Sequence, residues 1–202
     1  MNRKPVLAIV IMLVIFSCGD NRTPIAHKAS AYKIIDIQPF KGMPAAEVTF
    51  VLTELKKVYP HLLLKKEIDY PATAFNKERG RYRADSLIVF LANRTPGNHV
   101  TIGITPKDIS TTKGKVKDWG VMGLGFRPGN ACIASTFRLS ETNTNTQLFK
   151  VAIHELGHTQ GLPHCPVKTC YMRDAEGGNP TNEEKEFCTT CRKQLEEEGW
   201  KF

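Results

Sequence analysis

One stretch limits what this chain can become more than any other: His154-Glu155-Leu156-Gly157-His158-Thr159-Gln160-Gly161-Leu162-Pro163-His164. Histidines four residues apart on a helix share a face, so the imidazoles of His154 and His158 can grip one ion. Glu155 follows the first of them, and its side chain reaches a water on that ion rather than the ion itself. Gly161 tolerates the left-handed backbone that residues with a Cβ resist. The helix can end there and the chain turn back, which brings His164 to the same ion from outside the helix. Three neutral imidazoles leave one tetrahedral position for water, the arrangement of a catalytic rather than a structural zinc. Such an ion acidifies water and polarises a carbonyl. Glu155 is placed to take the water proton and pass it to a leaving amine. The residues point to hydrolysis of a peptide bond, with His154, His158 and His164 as ligands and Glu155 as base.

A second cluster begins one residue later. Cys165 and Cys170 are followed by Cys188-Thr189-Thr190-Cys191. Two close-spaced pairs of thiolates suit a closed, tetrahedral structural zinc, with the CxxC at the start of a helix. Two disulfides are the competing reading, because the chain carries features of an exported protein. The spacing favours zinc, which makes two zinc ions per chain. Cys132 stands apart in an apolar run and reads as a small buried hydrophobe.

The export features lie at the N-terminus. Asn2-Arg3-Lys4 is followed by an unbroken apolar run from Val6 to Phe16, and Ser17-Cys18-Gly19-Asp20 ends it. This is the pattern of a secretory signal, and the run is too short to span a membrane comfortably. Ile15-Phe16-Ser17-Cys18 resembles a bacterial lipobox, so residues 1–18 are expected to be a lipoprotein signal with Cys18 lipidated. Residues 19–31 would then tether a domain of residues 32–202 to a membrane of the cell envelope, facing the periplasm or the exterior.

Between these ends the hydrophobic pattern changes period. Residues 32–38 read as a strand ended by Pro39, and residues 45–59 as a helix with Val48, Val51, Leu52 and Leu55 at helical spacing. Residues 61–68 read as a strand, 81–93 as a helix and 100–104 as a third strand. This β-α-β-α-β order favours parallel strands joined by helical crossovers. Residues 119–124 and 131–137 are two more strands whose short link suits an antiparallel pair. Residues 105–118 read as a polar loop, 142–161 as the helix that carries the motif, and the C-terminal CxxC as the start of a helix running to Glu198, since residues 183–197 are charged with Phe187 and Leu195 inward.

Twenty-eight Lys and Arg against 20 Asp and Glu leave a net charge of +8. Without aromatic interleaving or a nucleic-acid motif, this charge reads as a solvated surface, so no nucleic-acid partner is expected. Peptide or protein substrates, a membrane reached through a lipid anchor and a monomeric state are expected instead. A zinc protein that only binds, as a structural or adaptor module with an intact metal site, is the alternative. Glu155 argues against it, since a structural ion has no need of an adjacent base.

The run His154 to His164 with Cys165, then Cys170-Tyr171-Met172, then Cys188 and Cys191, resembles the archaemetzincins. These are metzincin-type zinc proteases with a four-cysteine zinc site fused to the catalytic motif. The resemblance covers roughly Tyr32 to the C-terminus and is most specific from Ile153 to Cys191. It implies an α/β zincin-like fold: a mixed, mostly parallel five-stranded sheet with one antiparallel edge strand, an active-site helix and a small zinc-bound subdomain at residues 165–202. It also implies that Met172 is the methionine of the Met-turn, which underlies the catalytic zinc without binding it. In metzincins an edge strand above the zinc binds extended peptide by strand addition, and residues 119–124 are the candidate for that strand.

Overall fold

The computed structural model describes residues 32–202. The expected signal, Cys18 and the tether of residues 19–31 lie outside the described residues. In chain order the first half holds β1 (Ile34–Pro39), α1 (Ala45–Val58), β2 (Leu62–Leu64), β3 (Phe75–Asn76), β4 (Arg81–Arg83), α2 (Ala84–Ala92) and β5 (His99–Thr105). The second half holds β6 (Ile109–Lys113), β7 (Val116–Val121), β8 (Gly123–Gly125), β9 (Ala131–Ser135), α3 (Thr144–Thr159) and α4 (Thr189–Glu197). No described helix is long and apolar enough to cross a membrane.

The main sheet has five strands in the order β2-β1-β5-β9-β8. β1 runs parallel to β2 and β5, and β5 runs parallel to β9. β8 alone is antiparallel, pairing Gly123 with Ala134 and Gly125 with Cys132. The expected mixed sheet with one antiparallel edge strand is therefore the sheet observed. Alternation fixes which way each strand faces. Ile35, Ile37, Val100, Ile102, Ile104, Cys132 and Ala134 join Val48, Val51 and Leu55 of α1 and Leu148, Ala152 and Leu156 of α3 in one core. Ala131 and Ile133 point the other way, to Leu87, Ile88 and Leu91 of α2. Full burial of such aliphatic side chains stabilises by about 1.5–3 kcal/mol each, so the helices are anchored on both faces of a rigid layer. The buried Cys132 sits in the first of these cores, as its sequence context implied.

A second sheet, β3-β4-β6-β7, has no counterpart in the sequence reading. The segment expected to be a polar loop at residues 105–118 is instead most of the β6–β7 hairpin. Ile109 and two threonines supply β-forming residues, and Gly114 takes the left-handed turn with φ of 58°. Residues 81–83 also leave the helix expected at 81–93 and form β4. Tyr82 packs inward on Tyr70 and Phe75. Arg81 and Arg83 reach the carboxylates of Asp108, Asp118 and Asp85. Three residues with alternating faces cannot begin a helix, so α2 starts at Ala84. The strand expected at 61–68 is hydrogen-bonded as a strand only at Leu62–Leu64, with a single further bridge from Ile68 to Phe40.

The candidate edge strand at 119–124 proves to be two strands. Trp119 to Val121 belong to β7 in the second sheet, and Gly123 and Leu124 begin β8 at the edge of the main sheet. Met122 between them gives its carbonyl to Ser135 N–H at 2.7 Å. The chain thus passes from one sheet to the other along a single rim. At the C-terminus α4 begins at the CxxC, as expected, with Cys188 just before its first residue and Glu198 just after its last. Lys185 and Glu186 donate their N–H groups to the carbonyl of Thr169, which holds residues 185–188 extended beside the Cys165–Cys170 loop.

Candidate metal and active site

α3 delivers His154, Glu155 and His158, and the chain then reverses at Gly161, whose φ is 94°. Gly161 N–H bonds to the carbonyl of His158 and Leu162 N–H to that of Gly157, closing the helix as the sequence implied. The reversal carries His164 back under the helix. One ring nitrogen from each of His154, His158 and His164 lies within 4.8 Å of the others.

The other ring nitrogen of each histidine is engaged. His154 Nδ1 lies 2.6 Å from the carbonyl oxygen of Tyr171, and His158 Nδ1 lies 2.8 Å from that of Leu162. His164 Nδ1 lies 3.2 Å from Asp174 Oδ2. The carbonyls of Tyr171 and Leu162 only accept, so Nδ1 of His154 and of His158 carries the proton and each Nε2 presents a bare lone pair, and the Asp174 carboxylate stands in the same place beside His164. His158 Nε2 and His164 Nε2 are nevertheless only 3.2 Å apart. Two lone pairs facing at that distance repel unless a cation lies between them. Tetrahedral zinc with Zn–N near 2.0–2.1 Å separates two ligand nitrogens by about 3.3 Å, so the donor set and its spacing fit that ion. Burial pushes His154 down to about 3, and the neighbouring imidazole of His158 adds to the effect. Burial lowers His158 too. Both rings stay neutral, as ligands must.

Glu155 is buried, and burial pushes its carboxyl up to about 8. Its carboxylate packs against the edge strand. A Cβ added at Gly123 would stand 2.5 Å from Oε1, and one at Gly125 would stand 3.2 Å from Oε2. The two glycines therefore let α3 and β8 approach closely enough to place the carboxylate at the rim. Met172 is fully buried beneath the helix, where a Cβ on Gly157 would meet its Sδ at 2.4 Å. It lies against the turn of α3 between His154 and His158.

Cys165, Cys170, Cys188 and Cys191 form a second group, with their sulfurs all within 4.8 Å of one another. All four are free. Sγ of Cys165 lies 3.7 Å from that of Cys188, and Sγ of Cys170 lies 3.8 Å from that of Cys191. Zn–S bonds near 2.3 Å in a tetrahedron separate sulfurs by about 3.8 Å. Burial pushes the Cys170 thiol up, and the N–H groups of Met172 and Cys188 that its Sγ accepts work against that rise.

The histidines, Glu155 and the glycine-bearing strand line a cleft of about 810 Å³. Its rim runs from the end of β6 through Trp119–Val121 of β7 to β8, and its floor is the segment after Met172. Sequence reasoning missed several residues here. Lys150, one helical turn before His154, donates Nζ to the carbonyls of Thr181 and Glu184 at 2.6 Å each, tying the floor to α3. Asp174, the partner of His164, and Arg138, held by Asp108 at the rim, carried no signal in the linear sequence. Gly123 and Gly125 did carry one, since glycines inside a strand mark close approach of another group.

The family model of peptidase family M54 matches residues 28–197. Among curated relatives, an archaemetzincin of Halobacterium salinarum is 30% identical over 175 residues, covering 80% of this chain and 98% of the relative. An archaemetzincin of Archaeoglobus fulgidus, solved in complex with malonate, superposes with a TM-score of 0.68 at 27% identity, covering 79% of this chain and 98% of that one. An archaemetzincin of Methanopyrus kandleri gives a TM-score of 0.71 at 23% identity, covering 86% and 98%, and supports the fold. The chain therefore belongs to peptidase family M54, the family of the archaemetzincins, and is a zinc metallopeptidase.

Proposed function

We propose that His154, His158 and His164 hold the catalytic zinc, that Glu155 is the base, and that Cys165, Cys170, Cys188 and Cys191 hold a second, structural zinc. The observation that carries the catalytic site is the set of three Nδ1 partners. They leave three unprotonated Nε2 atoms converging on one point at the floor of an open cleft. Zinc bound there supplies a Lewis acid that polarises a substrate carbonyl and acidifies a water. Glu155, whose carboxylate is placed at the rim by Gly123 and Gly125, would take the proton from that water and return it to the departing amine. Met172 supports the histidine-bearing turn of α3 without donating to the metal. The rim strand β8 offers backbone groups to an extended peptide.

The test is a peptide-library digest by wild type and by Glu155→Ala, paired with metal analysis. Both proteins are expected to carry two zinc ions per chain, and hydrolysis is expected to fall by roughly 10²–10⁴ in the variant. Equal activity would remove Glu155 from its role. One zinc with blocked thiols would replace the second site by disulfides. Zinc-loaded wild type that cleaves nothing would favour a binding module over a peptidase.

The apolar run ending at Cys18 supports a lipid anchor in the cell envelope for a monomeric enzyme acting on peptides and not on nucleic acid. The full chain made in a bacterial host should incorporate labelled palmitate, and Cys18→Ser should abolish it. Incorporation that survives the substitution excludes this anchor.

A further inference from the structure

The rim of the cleft carries an arginine that hydrolysis itself does not use. Arg138 follows β9, and its Nε and Nη2 donate to the two carboxylate oxygens of Asp108 at 2.9 and 3.0 Å. A bidentate pair of this kind fixes the plane of the guanidinium. The group lies against the backbone of β7, where a Cβ on Gly120 would stand 2.2 Å from Nη2. The remaining nitrogen, Nη1, has no hydrogen-bond partner among the described residues. Arg138 lines the same cleft as Glu155 and the histidines.

Its place along the cleft is set by the strands. Gly123 lies beside Glu155 and Val151, and Gly125 beside His158. Going back from Gly123 to Gly120 spans three residues and passes the bend at Met122, so the two positions lie at most roughly 10 Å apart. Just beyond, the cleft is bridged. The ring of Trp119 rests on Gly177 of the floor, where a Cβ would stand 3.1 Å from it. Lys113 Nζ sits 5.1 Å from the centre of the Trp119 ring and adds positive charge to this end. Of the other three cations that line the cleft, Lys150 is engaged by the carbonyls of Thr181 and Glu184 and Arg173 by Glu183 at 2.7 Å, while Arg127 lies towards His158, away from this end.

We propose that this bridged end binds the free C-terminal carboxylate of a peptide through Arg138, so that the enzyme removes a di- or tripeptide from chain ends. The inference rests on the peptidase reading above. The C-terminus is the one anion that every unmodified peptide carries, and a fixed guanidinium edge suits a carboxylate better than a side-chain amide or a backbone carbonyl. The Trp119–Gly177 contact stands where a longer chain would have to continue. At about 3.3 Å per residue, roughly 10 Å leaves room for two or three residues between the scissile bond and the carboxylate. With its C-terminus at Gly120, the peptide runs opposite to β8, the antiparallel sense of a strand added to this edge. One water is consumed as the C–N bond breaks, and a shortened acid and a small peptide with a new amino terminus are released.

The test uses zinc-loaded Glu155→Ala, which holds peptide without turnover, and pairs of peptides that differ only in a free or an amidated C-terminus. Binding is read by calorimetry. The free acid is expected to bind at least 10-fold more tightly. Arg138→Gln should erase the difference and Arg138→Lys keep part of it. Gly120→Ala leaves Arg138 and Asp108 in place but displaces the guanidinium, and it should shrink the difference as well. Equal binding of acid and amide, binding of neither, or a preference that survives Arg138→Gln in a folded protein would overturn the proposal. Wild-type digests followed by mass spectrometry should show cuts at a fixed distance from the C-terminus. Cuts at scattered internal bonds would overturn the terminal site and leave the peptidase reading intact, whereas loss of all cleavage with the binding preference retained would do the reverse.

Discussion

The histidine group and the cysteine group are built from adjacent residues, His164 and Cys165, yet they differ in almost every physical respect. The histidines come from one helix and its reversal, within eleven residues of sequence. They face an open cleft, and His164 is exposed. The cysteines come from two segments more than fifteen residues apart and meet around a point inside the fold, with Cys170 fully buried. In the function proposed, three histidine ligands, each with an acceptor at its far nitrogen, would leave one metal position free, and four sulfurs would leave none. A site that must exchange water and product would then have three ligands and a solvent-facing edge, and one that only has to stay closed would have four and pin the loop that carries His164, Met172 and Asp174.

This contrast makes a crossed prediction, with the largest effect expected of any substitution here. Cys170→Ala should destabilise the fold by about 5 kcal/mol, since it removes a metal ligand that holds two segments together. That corresponds to a fall of roughly 10–20 °C in Tm for a domain of this size. His164→Ala should leave most of the Tm in place and remove at least 100-fold of activity. Thermal melts and peptide assays of both variants, with metal content measured alongside, decide it. If Cys170→Ala melts like wild type, the second group is not a structural centre.

A smaller effect separates the sites through their supporting residues. Asp174 touches His164 Nδ1, while among the described residues no carboxylate hydrogen-bonds to any cysteine sulfur. Asp174→Asn keeps the shape and removes the charge. It should weaken zinc at the histidine site by about 10–100-fold and leave the cysteine-bound zinc untouched. A competitive chelator titration with two resolved steps reads this directly. Equal weakening of both steps would mean that the two centres are one coupled unit.

How much of this could be seen in the sequence follows the same division. The histidine site was legible because its geometry is local. Four residues of helix fix the His154–His158 spacing, and one glycine fixes the turn. The cysteines were legible as a group but not as a shape. The helix that starts at the C-terminal CxxC was legible, but the extended run before it was not, because the bonds from Lys185 and Glu186 to Thr169 that hold it join distant residues. The main sheet followed from alternating apolar runs. The second sheet did not, because β4 and β6 draw their stability from charges on distant strands. Arg81 is paired with Asp108 and Asp118, and Ser110 with Asp118 at 2.5 Å, and no periodicity announces such a lattice. Arg138 and Lys150 were invisible for the same reason. Each acts through a partner about thirty residues away that linear spacing does not reveal.

The finest distinction between the two regions is electrostatic and lies at the floor that joins them. Glu184, only 4% exposed, sits between α3 and the Cys188 segment, facing Lys150, Arg173 and Glu183. Burial pushes its carboxyl up to about 7, against the pull of the Lys150 ammonium and the Arg173 guanidinium. A carboxyl whose folded pKa is raised binds more protons in the folded state than in the unfolded state between about pH 4.5 and 7. Its contribution to stability is therefore most favourable at the acid end of that window and declines as pH rises through it. Glu184→Gln should remove this slope. Relative to wild type, the variant should gain a few degrees of Tm at pH 8 and lose that advantage by pH 5. Protonation of metal ligands at low pH lowers both melting points together, so the difference between the two proteins is the quantity to follow. A difference that stays flat across the window would place the Glu184 carboxylate in an ordinary solvated setting. It would also mean that Lys150 holds the floor through its two carbonyl partners alone.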